Sequence, residues 1–329
     1  MTTFPLLQLP LVAMEHVLCM MSPFELIHVS LASSRAKTIV RNFSKTKDSF
    51  SVSFSNYWLS ISFHRNLMIW TYSIHINQDH ANMYAIIHQN DRIREMIRKV
   101  SEEPLKDIMK WYDYAREVLN CKINSLTFRF YLSSSENRRT IDWIAAQSNT
   151  MEWMELSSVY EESDDDLKYL MERILVSGHF KLKVKKYKND FRMEIPGNPE
   201  WLHIENAQFL NYDQLLRLKS PIIILRESIL TNEEIHRFLR SWMSCETHLE
   251  LEALEISISG PDAINEIMDL PHEKTNDPRV VQAFDDYHMI SQVENEIFTI
   301  ERGDGQKRAS VTVARLWDEW RLCLIVHSV

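Results

Sequence analysis

The feature that most constrains this chain is a rhythm in its middle. Between residues 125 and 258, short apolar runs return about every 20 to 29 residues, each followed by a segment with helical spacing. The spacing predicts strands at 125–132, 151–157, 180–184, 201–205, 222–226 and 249–258. Helices are expected at 138–147, 164–176, 212–218 and 232–243. A strand-helix unit of that size buries its apolar face only by stacking on the next, so the segment forms either an irregular solenoid, the preferred reading, or an α/β domain with a mixed sheet. Several helix starts are written out. Asn211 with Gln214 and Thr231 with Glu234 have capping-box spacing, and Ser163 precedes an acidic first turn that suits the helix dipole.

On either side the rhythm changes. Leu11, Met14, Val17, Leu18 and Met21 recur at three- and four-residue intervals, a helix expected to begin with Pro10 in its first turn. Ser22-Pro23-Phe24-Glu25 then restarts a helix with a capping box, and Ser34 to Arg41 suits a third. A module of about forty residues has too little core to stand alone, so it packs on a partner or on the rest of the chain. From Phe50 to Ile76 the period is two, which predicts three antiparallel strands; Leu105, Ile108, Met109, Tyr112, Ala115 and Leu119 return to one helix face. Near the end, 296–301, 307–313 and 320–327 read as strands, with Gly303-Asp304-Gly305 turning the first hairpin and 269–286 as the loop leading in. The expected segments are therefore 1–45, 46–119, 120–260 and 261–329, in an α+β or α/β chain.

Composition narrows the chemistry. A formal charge of -9 disfavours a nucleic-acid or anionic-membrane binder, which needs a basic excess, and points to protein partners. The five glycines form neither GxGxxG nor GxxxxGK[ST], so no phosphate-cradling loop is expected. Cys19, Cys121, Cys245 and Cys323 lie far apart and read as reduced core thiols, with no metal site and no cofactor. The thirteen histidines show no HExxH or HxH, and no serine sits in GxSxG. Neither a signal peptide nor a membrane span is legible, so a nuclear or cytoplasmic location is expected, and the Asn42-Phe43-Ser44 sequon reads as chance.

Leu9-Pro10, Val17-Leu18, Met21, Glu25-Leu26 and Val29-Ser30 together resemble the F-box; the usual aromatic after its second helix is missing, and Ser34-Arg35 stands near that place. Trp201–Glu205, Leu230–Ile235, Phe238–Met243 and His248–Ile256 look like the type 2 F-box-associated region of the nematode F-box B family. The resemblance implies a three-helix F-box that docks on a Skp-type adaptor, and through it on the cullin scaffold of an SCF ubiquitin ligase. It implies that the remainder, read as leucine-rich-repeat-like, holds a protein substrate, and that the chain is a non-catalytic subunit. Adaptor contact is expected at Leu9, Pro10, Met14, Val17, Leu18, Met21, Pro23, Leu26 and Val29, some of which also fill an internal helix core.

Lys181, Lys183 and Lys185 alternate with Phe180, Leu182 and Val184, placing ammonium groups on one strand face. They are candidates for an acidic substrate segment, although a solvated face that discourages edge pairing is the preferred reading. The run Glu161-Glu162-Ser163-Asp164-Asp165-Asp166 is read as solvated and dipole-stabilising, and Trp143, Trp153, Trp201 and Trp242 as core. Two other functions stay open: a scaffold outside any ligase, and a hydrolase whose groups converge from distant positions.

Overall fold

The computed structural model describes residues 6–46, 50–76, 83–89, 92–131, 133–158, 163–288, 296–316 and 318–328. The chain divides into two compact units, Met1–Arg129 with Arg139–Met151, and Phe130–Arg138 with Glu152–Val329.

The first unit begins with α1 (Leu11–Met20), α2 (Pro23–Leu31) and α3 (Ser34–Thr46). Pro10 stands one residue before α1 as its N-cap rather than inside its first turn. At α2 the expected capping box forms: Ser22 Oγ accepts from Glu25 N, and Glu25 Oε2 accepts from Ser22 N. The strands β1 (Ser51–Ser55), β2 (Ser60–Arg65) and β3 (Met68–His75) follow as the expected antiparallel meander. Two strands the periodicity did not reveal come next, β4 (Met83–Gln89) and β5 (Arg92–Val100). After α4 (Pro104–Leu119), β6 (Ile123–Arg129) pairs parallel with β1, so the sheet order is β6-β1-β2-β3-β5-β4.

The three N-terminal helices are cemented to α4. Phe24 meets Trp111, which stacks on Tyr72 at 4.0 Å, and Ser30 Oγ lies 2.9 Å from Tyr114 Oη. Lys37 Nζ reaches Glu117 Oε2 at 2.9 Å. The segment expected at 1–45 therefore shares its core with the segment expected at 46–119.

The second unit carries the strand-helix rhythm. In chain order come α5 (Ser134–Gln147), whose first residues belong here, β7 (Thr150–Ser158), α6 (Asp164–Met171), β8 (Leu175–Val184) and β9 (Trp201–Ile204). Then follow α7 (Tyr212–Arg217), β10 (Ile222–Leu225), α8 (Asn232–Met243), β11 (Ala253–Ile258) and α9 (Ala263–Ile267). The strands β8, β9, β10 and β11 pair parallel in that order. Because crossovers between parallel strands share one hand as a rule, strands laid down in one direction keep α7 and α8 on one face. Leu202, Ile204, Ile223, Leu225, Leu254 and Ile256 are buried toward it. The boxes at Asn211 and Thr231 both form.

The expected helix 164–176 ends at Met171, because β8 already begins at Leu175. Residues 269–286 are not a loop: β12 (Glu273–Thr275) and α10 (Pro278–His288) occupy them. The chain closes with β13 (Ile297–Glu301), β14 (Lys307–Leu316) and β15 (Glu319–Ser328) in antiparallel order against β11. The turn at Gly303-Asp304-Gly305 is as expected, with Gly305 at φ 68, a conformation that glycine adopts without Cβ strain.

Only Cys121 and Cys323 are buried; Cys19 is exposed, so it is not a core thiol.

Candidate functional site

Two surfaces stand out, one on each unit. On the first, Val12, His16, Cys19 and Met20 share one face of α1 through their three- and four-residue spacing, and all four are exposed. Val12 is 66% exposed, Met20 78%, Leu11 65% and, at the end of α2, Leu31 63%. Apolar side chains clustered and open in this way form the kind of surface that protein partners bury. Of the nine residues expected at such a surface, Pro10 is exposed and Leu9, Val17, Met21 and Val29 are half-buried. Met14, Leu18, Pro23 and Leu26 are buried inside this unit, where their side chains fill the core. Leu11, Val12, Met20 and Leu31 were missing from the expected set, because spacing shows which residues share a face but not which face turns outward.

A cavity of about 460 Å³ opens beside Cys19 and Met20, floored by Leu26, Phe43, Phe50 and Trp70. Arg65 forms part of its wall: its guanidinium lies over the Phe50 and Trp70 rings and donates to the Met21 carbonyl at 3.0 Å.

The second surface is the sheet face opposite α7 and α8. Register puts His179 beside Trp201 and Lys181 beside His203. Trp153 stacks on His179 at 4.8 Å and His179 meets Trp201 at 5.3 Å, an aromatic row in which Trp153 is 43% exposed. Trp153 and Trp201 are therefore not core residues, whereas Trp242 is.

Below the row runs a chain of ion pairs. Lys183 Nζ lies 2.7 Å from Glu155 Oε1, and Lys181 Nζ lies 3.7 Å from Glu205 Oε1. Arg226 bridges Glu205 at 3.0 Å and Glu255 at 3.4 Å; Arg321 continues from Glu255 at 2.7 Å to Glu319 at 3.0 Å. Two of the three candidate lysines are thus neutralised in place and make no basic patch, while Lys185 stands exposed just beyond β8. His203 Nε2 lies 3.3 Å from Glu205 Oε1. The close approach of the His203 imidazole, followed by the Arg226 charge, holds the Glu205 carboxyl down at about 2. Burial lowers the His203 pKa.

At the far end α10 covers this face. Phe284 is buried in a cluster with Ala253, Ile297, Ala314, Cys323 and Ile325, and Ile222 packs against it. Burial, with Glu255 nearby, raises the Cys323 thiol far above its ordinary range. Leu249, inside the strand expected at 249–258, is 47% exposed because β11 starts only at Ala253.

The acidic run is not a solvated strip. Asp166 accepts from Ser134 Oγ, Asn137 Nδ2 and Arg138 Nε, and Asp164 accepts from Lys188 N at 2.8 Å; both aspartates are buried. Glu161 and Glu162 lie outside the described residues. Among the described residues no group of His, Cys, Asp and Glu converges as a metal site, and no helix is long and apolar enough to cross a membrane.

Residues 6–48 match the F-box domain, and residues 190–256 match the region described as F-box associated. The chain therefore carries an F-box at its N-terminus and, further along, an F-box-associated region. The exposed faces of α1 and α2 lie within the first match, and β9, α7, β10, α8 and most of β11 within the second. No curated protein and no solved structure matches this chain.

Proposed function

We propose that this chain is the substrate-recognition subunit of an SCF-type cullin ubiquitin ligase. Its box binds a Skp-type adaptor, and its second unit holds a protein substrate. The observation that carries the reading is the exposed row of Leu11, Val12, Met20 and Leu31 on a segment that matches the F-box. An adaptor that covers the row removes apolar surface from water at about 25 cal/mol per Å². Leu9, Pro10, Val17 and Val29 rim the same contact, and the neighbouring cavity receives an apolar side chain of the adaptor.

The substrate lies on the sheet face of the second unit, where Trp153, His179 and Trp201 offer flat apolar area and the ion pairs beside them offer fixed hydrogen-bonding partners. We read the β8-to-β11 run as a degenerate leucine-rich-repeat-like array and the chain as a member of the nematode-type F-box B group, acting in the nucleus or cytoplasm. In this role the chain brings substrate to the transfer machinery by raising effective concentration and needs no nucleophile of its own. Purified chain mixed with ubiquitin, its activating and conjugating enzymes and ATP should form no thioester on Cys19, Cys121, Cys245 or Cys323. A reducible ubiquitin adduct on any of them contradicts the non-catalytic role.

A further inference from the structure

The strand β4 is the last in the order β3-β5-β4, so among the described residues one of its edges has no strand beside it. A free edge presents a row of backbone N–H and C=O groups, and chains normally blunt it with charge, proline or a bulge. The seven residues Met83-Tyr84-Ala85-Ile86-Ile87-His88-Gln89 contain no acid, lysine, arginine or proline, and their pairing with β5 is regular throughout. Tyr84 is 60% exposed, Ile86 54%, Ile87 41% and Met83 38%.

Behind this edge lies an excess of positive charge in a chain whose net charge is -9. The register sets Met83 beside Arg98, Ile87 beside Arg94 and Gln89 beside Arg92. None of the three arginines pairs with a carboxylate among the described residues, and Arg98 Nε is buried without a partner. The only acid of β5, Glu95, lies on the opposite face, beside Ile86. Burial first, then the charges of Arg94 and Arg92, lowers the pKa of His64 on β2.

We propose that the free edge of β4 binds an extended peptide by strand addition, and that the peptide alternates acidic with apolar residues. Its acidic side chains lie on the face of Arg94 and Arg98; the added strand stands two strand spacings, about 9.6 Å, from β5, within the summed reach of an arginine and an acidic side chain across β4. Its apolar side chains lie against Tyr84 and Ile86. Charge complementarity argues against a second copy of this chain, because pairing two such hairpins brings arginines to arginines. The exposed apolar side chains and free backbone groups favour a strand over a phosphate polymer. The inference does not depend on adaptor binding.

The test is fluorescence anisotropy of the full chain with a labelled peptide of alternating valine and aspartate, about as long as β4. We expect saturable binding that weakens with salt, is lost when lysine replaces aspartate, and is lost when proline occupies alternate positions. R94A/R98A should weaken it at least about tenfold, and R94K/R98K should recover most of the loss. Circular dichroism of both variants should match the parent. Equal binding of the lysine or proline peptide, unchanged binding by R94A/R98A, or no binding of the aspartate peptide overturns the proposal. Displacement by a single-stranded RNA oligonucleotide, with tight RNA binding of its own, overturns it in favour of a phosphate site.

Discussion

Glu205 shows how a single residue in this protein is fixed by its neighbours. His203, Arg226 and Lys181 converge on one carboxylate, and its pKa of about 2 lies below the ordinary value of 4.5. A carboxyl depressed in the fold contributes stability that is complete above the unfolded pKa and is lost as pH falls through the folded one. With about a third of the side chain in water, solvent screening reduces that contribution to about 1–2 kcal/mol. Thermal melting should therefore fall between pH 4.5 and pH 2, and Glu205→Gln should lower the melt near pH 6 while flattening that slope. An unchanged slope contradicts the assignment. The box makes the complementary point. Leu18 is buried and Val12 is not, so Leu18→Ala should cost the fold about 2–4 kcal/mol, read by urea melts, while Val12→Asp should leave it nearly intact. Spacing made the helix legible but not this distinction, since core and partner-facing positions are both apolar.

Among the elements, those with chemical punctuation were legible. Ser22, Asn211 and Thr231 cap where their sequence says, because Ser/Thr/Asn followed by Glu/Gln three residues later satisfies two backbone donors locally, whatever the tertiary context. Ser22→Ala should destabilise the first unit by about 1 kcal/mol, a downward shift in its melt. The helix α10 was illegible because Pro, Asp and Asn around 269–286 mimic a loop, while the apolar spacing of Val280, Val281 and Phe284 covers little more than a turn. Its burial of Cys323 gives a test at this scale. In the parent, a thiol reagent should label Cys19 quickly and Cys323 only on unfolding. Phe284→Ala should open the cluster at a cost of about 3–4 kcal/mol and make Cys323 reactive under native conditions. Protection that survives the substitution contradicts the role given to α10.

Across the whole molecule, the strand-helix alternation and the terminal hairpin were legible, whereas β4, β5 and the merger of the box with α4 were not, since that merger rests on contacts between residues such as Phe24 and Trp111, far apart in sequence. It changes what a truncation does. Residues 1–45 expose the surfaces of Phe24 and Ser30 that α4 covers in the full chain, so that fragment should be largely unfolded by circular dichroism, while residues 1–129 with 139–151 hold the complete core of the first unit. The central claim is that the open face of α1 docks a Skp-type adaptor. Its most direct test is titration calorimetry of the full chain against a purified adaptor, comparing the parent with V12D/M20D. The account predicts saturable binding by the parent and a loss of at least about thirtyfold in the variant, equivalent to about 2 kcal/mol, with an unchanged melt. Absence of binding by the parent, or equal binding by a folded variant, contradicts it.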